Sequence, residues 1–544
     1  MDHNSIGSLE RKGSRPNRSP LDADVITHIG ALAVFLSTAI VYRITLSPTI
    51  NSFDSAEFIT GASTLGIVHA PGYPLYLLVA HLAARLPWGT VPFNVNLLSA
   101  LCASASATVL YYACLRLSGA IWSSLLAVVL IALSGTFWSQ AVVAEVYALN
   151  ALLTSVIVLL AIGLYQKPRA KTLIGLAFVS GLSLTHHPST ILLFPSLLIL
   201  VLGRRKQIGG NWRTWLASLF ALGIPLILYL YLPLRFQANP QLNYVGDYFE
   251  VNLATLPGML WMVSGQMFAK EIFGKSLTAG LTETGNIISV IWLNLLGGGF
   301  LLSLYGLYLL RFKRDLVIFL GGSTIIVVFF FGFYDVVDNE EMIFPALLLL
   351  SPPLACGAKQ FFDEIVNVDR KRTFLYEGSK AGLLIIVTTS LLIANWSFAN
   401  HHGDWDAYLR ASRVLDQVEP DAIIVTQWTV ATPLSYLQIV EHRRPDVEII
   451  DRGMLALGIR DSMLRVGLDS DSSYIEATEA RLLQIISEAL KKRPVYLTED
   501  DPSMRALFCY KPLTGILYKV VSATPDCDES LSTFKYKTAL SIKG

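Results

Sequence analysis

The sequence predicts a polytopic α-helical membrane protein followed by a soluble α/β region. Three observations carry this. The 544 residues are 53% hydrophobic and only 15% charged, with a mean hydropathy of +0.51; soluble chains of this size do not have that balance. Eleven apolar runs read as membrane-crossing helices. After Phe398 the composition turns charged and mixed, and strand-like and helix-like runs alternate. The net charge of +1 carries no nucleic-acid signature, so no such partner is expected.

Residues 1–22 are polar and hold Arg11, Lys12, Arg15 and Arg18. They read as a disordered cytoplasmic tail before an uncleaved first span, Val25–Tyr42. The next spans are Val95–Leu117, Ile121–Trp138, Ala144–Tyr165, Thr172–Thr185, Ser189–Gly203 and Trp215–Pro233. Asn286–Leu310, Leu316–Tyr334, Met342–Gly357 and Ala381–Phe398 complete the set. Thr172–Thr185 and Ser189–Gly203 are short and need their flanks to cross. Pro74–Leu86 is apolar but too short to span, and is expected to lie in the interface.

An odd number of spans puts the N-terminus inside and the C-terminal region outside. Charge agrees: the predicted inner segments hold about twenty Lys and Arg, whereas the outer loops before the last span hold only Arg43, Arg85, Arg235, Lys270 and Lys275. The expected organisation is therefore a membrane domain over 23–398, with a first outer loop at 43–94 and a long one at 236–285, and an extracytoplasmic α/β domain over 399–544.

With that topology the unusual polar residues gather at one membrane face. The first outer loop carries Asp54 and Glu57, three apart and so on one helical face, then His69 and the turn Pro71-Gly72-Tyr73-Pro74. A paired acid there suits proton transfer on a lipid-borne substrate; the same acids also suit the first turn of a capped amphipathic helix. Glu145 sits at a span edge between apolar neighbours, where an acid must be paired or wet. His186-His187-Pro188 fills a tight turn; adjacent histidines point apart, which favours a satisfied turn over a metal pair. Arg235 and Asp247 begin the long outer loop, and Asp338 lies in a further acidic turn that solvation alone could explain. Together these loops suggest one shared polar cavity. Gly297-Gly298-Gly299 reads as close helix packing within a span.

In the C-terminal region, Trp405–Val418, Pro433–Glu441 and Ile475–Lys491 read as helices, and Ala422–Thr426, Val447–Ile450 and Val495–Thr498 as strands of a small, mostly parallel sheet. Cys102, Cys114 and Cys356 fall in spans as packing residues. Cys509 and Cys527 face the oxidising side, where a disulfide between them is open.

Several stretches together resemble the transmembrane protein O-mannosyltransferase family, within the GT-C class of polytopic glycosyltransferases. They are Asp54-Ser55-Ala56-Glu57-Phe58, His69-Ala70-Pro71-Gly72-Tyr73-Pro74, Asn96-Leu97-Leu98-Ser99-Ala100 and Phe137-Trp138-Ser139-Gln140 with Ala144-Glu145-Val146-Tyr147. Gly181-Leu182 with His187, Tyr231-Leu232-Pro233-Leu234-Arg235, Asn239-Pro240 with Asn243, Asp338 with Phe344-Pro345, and Arg444-Pro445-Asp446-Val447 extend it over nearly the whole chain after residue 45. The chain departs from the family pattern at Phe53, where Gly usually precedes the Asp, at Asn94, usually Arg, and at Tyr244, usually Trp, with Val245 apparently inserted after it.

The resemblance implies a GT-C-like fold and an inverting glycosyltransferase of the EC 2.4 class. A sugar on a polyprenyl phosphate, mannose by resemblance, would pass to a hydroxyl, by resemblance a Ser or Thr of an exported protein. Asp54 is the expected general base with Glu57 beside it. Arg235 is the expected phosphate holder, because a guanidinium grips phosphate oxygens bidentately. His69, Tyr73, Glu145, Tyr147, His186, His187, Asn239, Asn243, Asp247 and Asp338 are the expected substrate contacts. No cofactor and no metal are expected. Partners are the lipid-linked sugar, an acceptor protein or glycan, and membrane lipid. The setting is a bacterial inner membrane with a periplasmic active face, or an ER membrane with a lumenal one. A lipid or cell-wall glycan acceptor is the alternative within the class; a transporter or flippase is the alternative outside it, disfavoured by spans nearly free of acids and by the absence of a repeat.

Overall fold

The computed structural model describes residues 20–209, 211–336, 340–366, 373–468, 471–522 and 524. Most of the N-terminal tail, Asp338 and Cys527 lie outside these residues. Each of the eleven apolar runs is helical. Seven described helices are long and apolar enough to cross a membrane: Asp24–Ile44, Val91–Ser118, Tyr147–Gln166, Trp212–Gln237, Arg314–Phe333, Glu341–Glu364 and Gly378–Ala399. Ala170–Leu184 and Phe194–Ile208 are shorter.

Two expected spans are broken. Ile121–Ala132 and Gly135–Ala141 meet at 69°, and Leu277–Asn294 and Gly298–Leu309 at 101°. The glycine run read as packing within a span is the second break: Gly297 has φ +61°, and the Trp292 ring fills the place its Cβ would take. Breaks free backbone groups that need partners where water is scarce. Asn395 Nδ2 donates to the Leu133 carbonyl at 2.8 Å. Asn294 Nδ2 donates to Thr136 Oγ1 at 3.0 Å, and Asn294 Oδ1 accepts from the Thr136 N–H at 3.2 Å, so the two breaks pin each other.

Small residues set the helix spacing. Val91–Ser118 buries Ala100, Ala103, Ser104, Ser106 and Ala107, and Ser106 shares a hydrogen bond with Ser155 at 2.9 Å. Gly306 lies against the Pro353 carbonyl and Gly357 against the Leu302 carbonyl, so Gly298–Leu309 and Phe344–Val366 touch backbone to backbone.

The sheet has strands β1 (Ile423–Thr426), β2 (Glu448–Asp451), β3 (Val495–Leu497), β4 (Cys509–Thr514) and β5 (Leu517–Ser522), in the order β2-β1-β3-β5-β4. β2-β1-β3 is parallel, with Ile424 opposite Ile449 and Tyr496. β5 and β4 add on antiparallel, so the sheet is mixed. This hairpin and the helix Arg452–Arg465 are absent from the sequence reading. Cys509 is disulfide-bonded.

The sheet region is seated on one end of the bundle. Its helix Arg452–Arg465 receives the long loop: Trp261 Nε1 donates to Asp461 at 2.9 Å, Arg460 pairs with Glu271 at 2.7 Å, and Gly458 lets the Tyr248 carbonyl approach where a Cβ would clash. Asn51 Nδ2 donates to Asp404 at 3.2 Å, and His401 N–H to the Thr45 carbonyl at 3.0 Å. These contacts bring the first loop, the long loop and the sheet to one place.

Candidate active site

The site is built on the helix Asp54–Thr64. Asp54 is its first residue, where a carboxylate meets the positive end of the dipole. The preceding Phe53 has φ +62° and ψ −138°, a conformation that suits glycine and strains other residues. It is thus the position at which the resembled family usually has Gly.

Glu57, one turn on, is fully buried and turns to His69. Its Oε1 accepts the His69 backbone N–H at 2.6 Å, and its Oε2 meets Nδ1 at 2.6 Å. Burial pushes the Glu57 carboxyl up, and the contact with His69 pulls it partly back. With Nδ1 held, His69 presents Nε2 to Asp54 Oδ2 at 3.7 Å and to the Tyr73 hydroxyl at 3.4 Å. The turn between has Gly72 at φ +85°, close against the Leu232 side chain, a conformation that strains any other residue.

Asp54 Oδ1 accepts from the Trp428 indole N–H at 2.7 Å. Trp428 opens the helix Trp428–Ile439 directly after β1. The indole lies 6.1 Å from the His69 ring and 5.2 Å from the Tyr244 ring, centroid to centroid. The sequence reading missed Trp428. Its one signal is its place at the carboxyl end of a strand where the parallel order reverses, the usual site of ligand crevices in α/β sheets.

A second wall carries the remaining aromatic and histidine residues. His187 lies 6.0 Å from Tyr73 and 6.2 Å from Tyr147, ring to ring. Its Nδ1 accepts the Ser189 N–H at 3.3 Å, which leaves the proton of a neutral ring on Nε2. Burial pushes His187 down to about 4 and His186 down to about 3, so both are neutral near pH 7. His186 stacks on Tyr76 at 6.0 Å and contacts the Val146 carbonyl through Nε2 at 2.8 Å, while its buried Nδ1 has no hydrogen-bond partner among the described residues. Glu145 is half-buried between two helices and acts electrostatically on Tyr76.

In the structure Arg235 is engaged with backbone carbonyls. Its Nε donates to the Leu65 carbonyl at 2.7 Å and Nη2 to the Thr64 carbonyl at 3.2 Å. It closes the C-terminal end of the Asp54 helix, eleven residues or about 16 Å from Asp54. Asn243 caps the short helix Tyr244–Tyr248, its Oδ1 accepting the Gly246 N–H at 3.0 Å, and its residue bridges to Ile67. Asn239 and Asp247 are exposed and outside the cluster. Asp338 lies outside the described residues.

The architecture, a bundle of apolar helices with the site at the end that carries the sheet region, is similar in fold to the GT-C class. ArnT from Cupriavidus metallidurans, solved with undecaprenyl phosphate, superposes with a TM-score of 0.54 at 10% identity, covering 94% of this chain and all of that one. The apo oligosaccharyltransferase of Archaeoglobus fulgidus gives 0.50 at 10% identity, covering 88% of this chain and 70% of the other. Within that class the likeness is to one family. Residues 54–209 match the Protein O-mannosyl-transferase TMEM260 N-terminal domain. The chain is 30% identical over 274 residues to the mouse protein O-mannosyl-transferase TMEM260, covering 49% of this chain and 37% of that protein. It is 20% identical over 480 residues to the Dictyostelium discoideum protein of that name, covering 78% of this chain and 57% of the relative. The resemblance read from the motifs is thus found independently, and the chain spans well under two thirds of either relative.

Proposed function

We propose that this protein is a membrane glycosyltransferase that moves mannose from a polyprenyl phosphate to a Ser or Thr hydroxyl of an exported protein. The carrying observation is the Asp54 carboxylate, one oxygen held by Trp428 and the other turned to His69, at the end of the bundle. The family match and the names of its members support the sugar and acceptor; the fold neighbour solved with undecaprenyl phosphate supports the lipid carrier.

In this reading the acceptor hydroxyl attacks the anomeric carbon as the bond to phosphate breaks. The proton passes to Asp54, and the sugar inverts. The hydroxyl is a weak nucleophile and needs that base within reach; the phosphate is already a good leaving group and needs donors. With Arg235 engaged at backbone carbonyls, the Nε2–H of neutral His187 and the hydroxyls of Tyr73 and Tyr147 would be the donors to the phosphate. Glu57 acts by fixing His69, not as a second base.

Asp54, Glu57 and His69 offer ligand atoms within 4.8 Å of one another. An ion there would compete with the contact of Glu57 with His69 Nδ1, so we read transfer as metal-independent; the assay repeated in EDTA tests this. The active face is the one opposite the cytoplasm, as the charge bias indicates.

The test is transfer in proteoliposomes from radiolabelled polyprenyl-phosphate mannose to a lysate of exported proteins. Label in acid-precipitable protein is expected. Label only in lipid or wall glycan would replace the acceptor, and no transfer from any polyprenyl-phosphate sugar would overturn the reading.

A further inference from the structure

We propose that the C-terminal α/β region completes the active site, with Trp428 as the positioning residue for Asp54. This rests on the glycosyl-transfer reading above and assigns a working part to a region that otherwise looks like a brace. The anchoring is double. Trp428 Nε1–H donates to Asp54 Oδ1 at 2.7 Å, and Thr432, one helical turn on, donates to the Phe53 carbonyl at 2.7 Å. One helix face of the sheet region thus grips two consecutive residues of the bundle, the catalytic carboxylate and the strained residue before it.

The placement of Trp428 is what makes this more than packing. It follows β1, the strand flanked in parallel by β2 and β3, at the carboxyl ends of those strands. The indole stands over the His69 ring and against Tyr244 while its N–H reaches the carboxylate. Asp54 is a first-turn residue whose side chain is 29% exposed, and no described residue of its own helix holds its oxygens. Free rotation about its side chain would carry Oδ2 away from the His69 side. An indole N–H fixed by the sheet removes that freedom, and a misplaced base costs rate rather than substrate affinity.

The test separates the N–H from the ring. Trp428→Phe keeps an aromatic ring beside His69 and Tyr244 and removes the donor; Thr432→Val removes the second anchor and leaves the site untouched. Steady-state transfer in proteoliposomes should show kcat about ten- to a hundredfold lower for Trp428→Phe, a smaller fall for Thr432→Val, and donor KM within about twofold in both. An unchanged kcat for Trp428→Phe, or a raised KM at constant kcat, would overturn the proposal. The contact itself is read without activity: in protein labelled with 15N-tryptophan, the indole resonance lost in Trp428→Phe should move in Asp54→Ala. A resonance that stays in place overturns the proposal; if Trp428→Phe does not fold, all ten indole resonances staying in place between wild type and Asp54→Ala overturn it equally. Wild-type protein that transfers nothing overturns the glycosyl-transfer reading, and the indole resonance then still decides the contact.

Discussion

Glu57 closes on His69 with both carboxylate oxygens, one on the backbone N–H and one on ring Nδ1, each at 2.6 Å. The residue that looks from sequence like half of a catalytic acid pair is therefore fully committed inside the protein. The two acids differ in setting: Glu57 fixes the imidazole, whereas Asp54, one turn earlier, keeps a side chain that is 29% exposed and turns Oδ2 to His69.

Glu57→Gln keeps an acceptor for the His69 N–H but sets an amide N–H against Nδ1. The ring should then carry its proton on Nε2, towards Asp54. Transfer should fall in kcat by about a hundredfold, with donor KM within a few-fold, because a wrong tautomer disables a base without emptying the site. Wild-type kcat in this variant would show that the Glu57 contact is structural only.

Arg235→Ala leaves the Thr64 and Leu65 carbonyls without their donor. Charged hydrogen bonds of this kind contribute about 1–3 kcal/mol, so the variant should melt lower in detergent, with activity per folded molecule largely kept. A large rise in donor KM at unchanged melting temperature would return Arg235 to the phosphate.

Phe53→Gly should stabilise the protein. The side chain is 58% exposed and contributes little burial, while the backbone sits at φ +62°. Relief of strain outweighs the added chain entropy of glycine by about 1 kcal/mol. The Thr432 bond accepts at the Phe53 carbonyl and survives the change. A lower melting temperature would contradict this account of the turn.

Asp451 is 1% exposed, and burial pushes its carboxyl up from 3.8 to about 6. The folded state therefore holds the proton more tightly than the unfolded one. Stability falls as pH rises from about 4 to about 6 and stays lower above. Asp451→Asn keeps the oxygen that accepts from Gly453 and Met454 and never ionises. It should be more stable than wild type at pH 7.5, on the order of 2 kcal/mol, and no more stable near pH 4. A constant difference at both pH values would remove the titration from the explanation.

Much of the fold was legible because bilayer length and apolar runs leave few choices. Every predicted span is helical, two of them as bent pairs, and the three parallel strands fall within a residue or two of their predicted places. The breaks at Ser134 and Gly297 were not legible, because a Gly-rich run serves equally for close packing and for a bend; only the partners of Asn294 and Asn395 decide. The motif containing Asp54, Glu57, His69 and Tyr73 is local, and its residues are indeed found together. The contacts of Arg235 with the Thr64 and Leu65 carbonyls were not legible, because a sequence does not display backbone acceptors. Trp428 lies 374 positions from Asp54, and no local pattern announces a contact made only when the sheet docks on the bundle.

The most direct measurement is transfer of radiolabelled mannose from polyprenyl phosphate to protein by wild type and by Asp54→Asn, each folded and reconstituted at equal amount. The account predicts transfer by wild type and a loss of at least about a thousandfold in the variant, with lipid donor still bound. Transfer by Asp54→Asn at a rate near wild type would contradict the assignment of Asp54 as the base.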